Sequence, residues 1–108
     1  MIKTLAELAQ GLNTIYPTQF SHFEKKKAPP YICYIDTGEE NFYADDNVFI
    51  EGTIVDIELY TAQKDLKAEK KIKDFLKANE LPYTFYPSIR IESEGVFQCV
   101  FNIKLIDQ

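Results

Sequence analysis

The run VFQCVFNIKLI, Val96 to Ile106, constrains the fold more than any other stretch. Phe97, Cys99, Phe101, Ile103 and Leu105 fall on one side of an extended chain. Val96, Gln98, Val100, Asn102 and Lys104 fall on the other. Side chains of a strand alternate between faces, so this period of two demands a sheet with one strongly apolar side. Such a face must be covered, and the rest of the chain has to supply the cover.

Two more strands are legible upstream. YICYID, Tyr31 to Asp36, is apolar at five successive positions, so neither of its faces should be fully wet. VFIEGTIVDIELY, Val48 to Tyr60, is longer than an ordinary strand. Its Val48, Ile50 and Ile54 share one face, and its Val55, Ile57 and Leu59 share the other. The apolar side changes near Gly52, which predicts a bulge or bend there. YTFYPSIRI, Tyr83 to Ile91, is a strand whose Pro87 assigns it to an edge or an irregularity. The turn ESEG then leads into the final strand.

Two helices supply part of the cover, and strands apolar on both faces need more than two short helices can give. Thr4 to Glu7, TLAE, is a capping box, and Leu5, Leu8, Leu12 and Ile15 follow as one apolar stripe ending at Tyr16-Pro17. Asp65 to Asn79 is the second helix, with Leu66, Ala68, Ile72, Phe75 and Leu76 on its buried side and Glu69 spaced to pair with Lys73. Thr18 to Pro30 reads as a connection with at most a short edge strand around Phe20 to Phe23, and Lys25 to Lys27 as a solvated loop. The expected architecture is one α+β domain over residues 1–108. Its mainly antiparallel four-stranded sheet, in the chain order α-β-β-α-β-β, carries both helices.

Little in the chain points to catalysis. His22 is the only histidine and falls in the stretch read as a connection, without the partners that a nucleophilic site requires. Gly11, Gly38, Gly52 and Gly95 are scattered singly, so there is no phosphate loop. Asp56 and Glu58 share a strand face, which in an acidic protein reads as a wet or intersubunit face rather than an acid–base pair. Asp36 to Asn47 fails the calcium-loop pattern, because Asn41 stands where glycine is needed. Cys33 and Cys99 have no close cysteine partner, which argues against zinc and for buried free thiols. No catalytic, cofactor or metal residue is expected. The start alternates polar and apolar residues, unlike a signal peptide, and no run approaches membrane-spanning length. A soluble, cytoplasmic protein is the expectation.

Charge is segregated along the chain. Asp36, Glu39, Glu40, Asp45, Asp46, Glu51, Asp56 and Glu58 fall within residues 31–63, which hold no Lys or Arg. Lys64, Lys67, Lys70, Lys71, Lys73 and Lys77 follow, interleaved with acids around the non-apolar arc of the second helix. Phosphate binding needs a concentrated positive patch, and the chain carries a net charge of −5. The lysines are a solvated helix face, and no specific nucleic-acid binding is expected.

The element order, with PPYICY (Pro29 to Tyr34), NFYADDNVF (Asn41 to Phe49), ELYTAQKD (Glu58 to Asp65) and IESEGVFQ (Ile91 to Gln98), resembles the small tail terminator proteins of long-tailed phages and prophages of Gram-positive bacteria. These are tail-completion, head–tail joining proteins. The resemblance covers most of the chain but least of its first thirty residues, and it is one of pattern rather than of a catalytic motif. It implies a non-enzymatic ring, commonly a hexamer, that caps the tail tube. The ring would contact the major tail protein and the head-closure protein, assembling in the host cytoplasm and residing at the tail–head junction of the virion. Within that picture the acidic hairpin supplies the subunit interface, with Phe42, Tyr43, Asp45, Asp46 and Tyr60 as its candidate residues. Its carboxylates would keep passing DNA from adhering. The rival reading is a small monomeric or dimeric α+β module that takes a ligand between sheet and helix.

Reversing Lys70 and Lys71 to Glu should change stability by less than about 1 kcal/mol. A filter-binding titration should find no DNA affinity before or after the change; salt-dependent micromolar binding by the parent protein would contradict the solvated-face reading.

Overall fold

A computed structural model describes residues 2–44 and 48–107. In chain order the elements are α1 (Leu5–Leu12), β1 (Thr18–Phe20), β2 (Tyr31–Glu39), β3 (Phe42–Ala44), β4 (Val48–Thr61), α2 (Leu66–Ala78), β5 (Tyr83–Ile91) and β6 (Val96–Asp107). The chain is α+β, but the expected four-stranded sheet is wrong. Among the described residues the sheet has six strands in the order β1-β2-β4-β6-β5, with β3 added alongside β4. It is also mixed, because β1 runs parallel to β2 while the other pairs are antiparallel. The two added strands are three residues each, too short to display a period of two, and β1 ends at Phe20, where the short edge strand allowed by the sequence was to begin.

Both helices cover one face of the sheet. Leu8 and Leu12 of α1 and Ala68, Ile72 and Leu76 of α2 share a single core cluster with Ile32, Val55, Ile57, Leu59, Cys99, Phe101, Ile103 and Leu105. The helices also touch each other closely at Gly11. A Cβ there would lie 2.5 Å from the Phe75 ring, so glycine leaves the space that the ring fills. Alternation then sends Tyr31, Cys33, Glu58, Tyr60, Gln98 and Val100 to the opposite, helix-free face.

The helix ends follow their local chemistry. Thr4 and Glu7 form the expected reciprocal capping box. The helix itself stops at Leu12, and residues 13–15 continue as hydrogen-bonded turns rather than as helix up to Tyr16. In α2, Asp65 caps the start by accepting from the Ala68 amide. At the other end Leu81 N–H bonds to Leu76 C=O and Glu80 N–H to Lys77 C=O, closing the helix with Glu80 in the left-handed region (φ 55°).

Two details of α2 depart from expectation. Leu66 is 69% exposed, because it sits in the first turn, ahead of the stretch that meets the sheet. Glu69 does not pair with Lys73. It is buried, 2.8 Å from Lys64 Nζ, and accepts from Ser88 Oγ at 3.1 Å. A buried carboxylate needs such partners, and this pair ties α2 to β5 at the register shift beside Pro87. Lys73 instead lies over the Phe85 ring at 4.1 Å.

Phe101 is fully buried and flanked by the Tyr83 and Phe85 rings at 5.7 and 5.0 Å. Phe101→Ala should therefore cost about 3–5 kcal/mol, read as a lowered urea midpoint. An unchanged midpoint would place the ring outside the core.

Candidate functional site

Apolar groups that the core does not absorb gather at two places, at opposite ends of β4. The first is an arm made from the end of β2, β3 and the beginning of β4. Phe42 pairs with Ile50, Tyr43 with Phe49 and Ala44 with Val48. The Asn41 side chain accepts from the Gly52 amide at 3.1 Å, and Glu40 N–H donates to Gly52 C=O at 2.8 Å. Lys104 Nζ meets the Glu40 carboxylate at 2.8 Å.

Gly52 makes this crossing possible. A Cβ at this position would lie 2.5 Å from the Glu40 carbonyl oxygen, which no side chain can relieve. The buried side of β4 does change here, from Ile50 and Gly52 to Val55, Ile57 and Leu59. The predicted bulge, however, is elsewhere. Pairing of β4 with β6 passes Gly52 without a shift, and the irregularity falls on β2 between Asp36 and Gly38.

Three aromatic side chains of the arm stay in solvent: Phe42 is 42%, Tyr43 74% and Phe49 49% exposed. The Tyr43 and Phe49 rings lie 5.6 Å apart, so they form one surface. Exposed aromatics this close together are uncommon on a surface without a partner.

The second place is a groove at the other end of the strands, on the helix-free face. Because β1 is parallel to β2, residues 21–30 must carry the chain back along the sheet. They do so over the helix-free face, where Phe23 packs edge-on against Tyr31 with ring centroids 5.4 Å apart. Between this loop and the sheet lies a groove of about 600 Å³. Its walls include His22, Phe23, Lys25, Lys26 and Lys27 from the loop, Tyr31, Cys33 and Tyr60 from the sheet, and Glu94 from the β5–β6 turn.

The groove floor is a half-buried polar network. Tyr31 stacks on Tyr60 at 4.8 Å, with 15° between the rings. The Tyr60 hydroxyl donates to Glu58 Oε1 at 3.1 Å and accepts from Gln98 Nε2 at 2.8 Å. Beside it Asn102 donates to Asp56 at 2.7 Å, which explains why two acids are tolerated on one strand face. Burial raises the pKa of Glu58; the nearby charge of Asp56 adds to the rise, and the Tyr60 hydrogen bond opposes it. Burial likewise pushes the Cys33 thiol up to about 11, with Glu58 and Glu94 adding to the shift. Cys99 is also buried and pushed up to about 11. Both cysteines are thus held as thiols, the unreactive form.

His22 Nδ1 lies 3.3 Å from Ser21 Oγ. Among the described residues no group of three or more His, Cys, Asp or Glu side chains converges as metal ligands would. No described helix is long and apolar enough to cross a membrane.

Of the predicted interface residues, Phe42 and Tyr43 stand on the arm, and Asp45 and Asp46 lie outside the described residues. Tyr60 is not with them. Between Phe49 and Tyr60 run eleven residue steps of β4, roughly 35 Å at strand rise. The sequence reading missed Phe49, whose exposure depends on its pairing with Tyr43, and it missed the groove. The signal for the groove was present in Lys25–Lys27 beside Pro29-Pro30, but nothing local tells which surface the loop crosses. No protein-family model and no curated protein sequence matches this chain.

Burial raises the folded-state pKa of Glu58 above its unfolded value, so the group favours folding at low pH and loses that contribution as pH rises through the folded pKa. Glu58→Gln should therefore raise the melting temperature at pH 7. The advantage should shrink as pH falls through the carboxylate range, and a constant difference from pH 3 to pH 7 would refute the assignment.

Proposed function

We propose that this chain is a non-enzymatic assembly subunit of the phage tail terminator type, which closes into a ring that caps a tail tube and joins it to the head. The observation that carries this reading is the arm. Phe42, Tyr43 and Phe49 form an exposed aromatic surface on a two-stranded projection, beyond the helix-covered core. Exposed aromatic side chains grouped in this way are the kind that anchor protein interfaces.

Shape and charge add support. The molecule measures 50 × 26 × 22 Å, long enough for one subunit to reach across a neighbour. Asp36, beside the arm, is acidic and exposed, and in a ring it could line a passage for DNA without holding it. The major tail protein and the head-closure protein are the partners that this role requires, and assembly would take place in the host cytoplasm. The rival ligand-binding module would take its ligand between sheet and helix, where Leu8, Ile72 and Leu76 share a cluster with Ile57 and Phe101. The two readings part on oligomeric state.

Native mass spectrometry over a range of concentrations tests the proposal. A ring, expected as a hexamer, should appear for the wild type and disappear for Phe42→Ser/Tyr43→Ser, with circular dichroism unchanged. Loss of a buried aromatic anchor commonly costs an interface 2 kcal/mol or more, roughly a thirtyfold loss of affinity per contact. A wild type that stays monomeric at every concentration would refute the ring.

A further inference from the structure

We propose that the groove beneath the 21–30 loop is the socket for the arm of a second copy of this chain, so that neighbouring subunits join head to tail. The inference rests on the ring reading above and names the surface that the ring needs.

Charge complementarity is the first support. The arm presents Glu39 and Glu51 beside its exposed aromatics. The socket presents Lys25, Lys26 and Lys27, against Glu94 on its wall and the half-buried Glu58 in its floor. The arm falls in the stretch of sequence that lacks cations, and the socket holds three of them in succession. Opposite charges on two surfaces of one molecule steer association and disfavour the pairing of like ends.

Shape gives the second support. The groove has an aromatic floor in Tyr31 and Tyr60 and an aromatic wall in Phe23, suited to a ring such as Tyr43. Its volume of about 600 Å³ is enough for two aromatic side chains and not for a domain.

Position gives the third. Arm and socket occupy opposite ends of β4, so one molecule cannot fill its own socket across roughly 35 Å of continuous strand. Surfaces that differ and lie at opposite ends make a heterologous contact, the type that generates rings when the rotation closes. Contact between two arms would instead be isologous, stop at a dimer, and set acid against acid.

Two variants and their mixture test the contact. An arm variant carries Tyr43→Ser with Phe49→Ser and keeps its acids; a socket variant carries Lys25→Glu with Lys26→Glu, so the two altered surfaces repel. Each alone should lose the ring in native mass spectrometry. An equimolar mixture, at concentrations well above those at which the wild type assembles, should give a species of two chains and no larger one. One intact arm then meets one intact socket, and nothing remains for growth. If the arm variant fails to fold by circular dichroism, Phe42→Ser replaces Phe49→Ser. A wild-type monomer would remove the ring reading and this contact together. A wild-type ring that survives in either variant, or a mixture that stays monomeric, would overturn the contact alone.

Discussion

The pairing of β4 with β6 is the constraint on which the rest of the structure depends. It runs from Glu51 opposite Asp107 to Thr61 opposite Phe97 without a register shift. Each strand has its other side occupied as well, by β2 and β3 on β4 and by β5 on β6. Because side chains alternate strictly, fixing this one register assigns Val55, Ile57, Leu59, Cys99, Phe101 and Ile103 together to the helix side. A slip of one residue would move the entire set into water. The length of β4 also decides the shape of the molecule, since the two short helices cover only part of it and the remainder projects as the arm.

One-sided cover leaves the opposite face with a different task. It carries no second apolar core but a row of satisfied polar contacts: Tyr60 with Glu58 and Gln98, and Asn102 with Asp56. Among the described residues no buried side-chain nitrogen or oxygen lacks a partner. The face is therefore stable enough to stand without a helix, yet apolar enough at Tyr31, Cys33 and Val96 to need partial shelter from the returning loop. Arm and groove are what remains of an elongated sheet after its middle has been closed. Their separation along β4 makes them available to other molecules rather than to each other.

Legibility in the sequence followed the range of the interactions. The Thr4–Glu7 capping box, the alternation of β6 and the apolar stripe of α2 are set by neighbours three or four positions away, or by a repeating period. Leu66 and Glu69 were misjudged because a helical period says which residues share an arc, not where the arc meets the sheet. The Gly52 bulge was misplaced for a similar reason. The change of face was visible, but at Gly52 the Glu40 carbonyl approaches from the link between β2 and β3. Phe42 and Tyr43 stood out as aromatics in an acidic hairpin, whereas Phe49 looked like an ordinary strand residue until Tyr43 was set beside it.

What the sequence determined by itself was therefore the α+β class, the principal strands and the helix starts, because backbone capping and side-chain periodicity are local. It also determined the separation of charge, which is a matter of composition along the chain. Only the tertiary structure decided the strand count, the parallel placement of β1 and the face over which residues 21–30 return. Three-residue strands carry no period of their own and exist because a longer strand offers them an edge. The same holds for the groove. Lys25 with Tyr31, Tyr60, and Glu94 come from three separate stretches of sequence, and it is the register of the sheet and the return of one loop that bring them to a common surface.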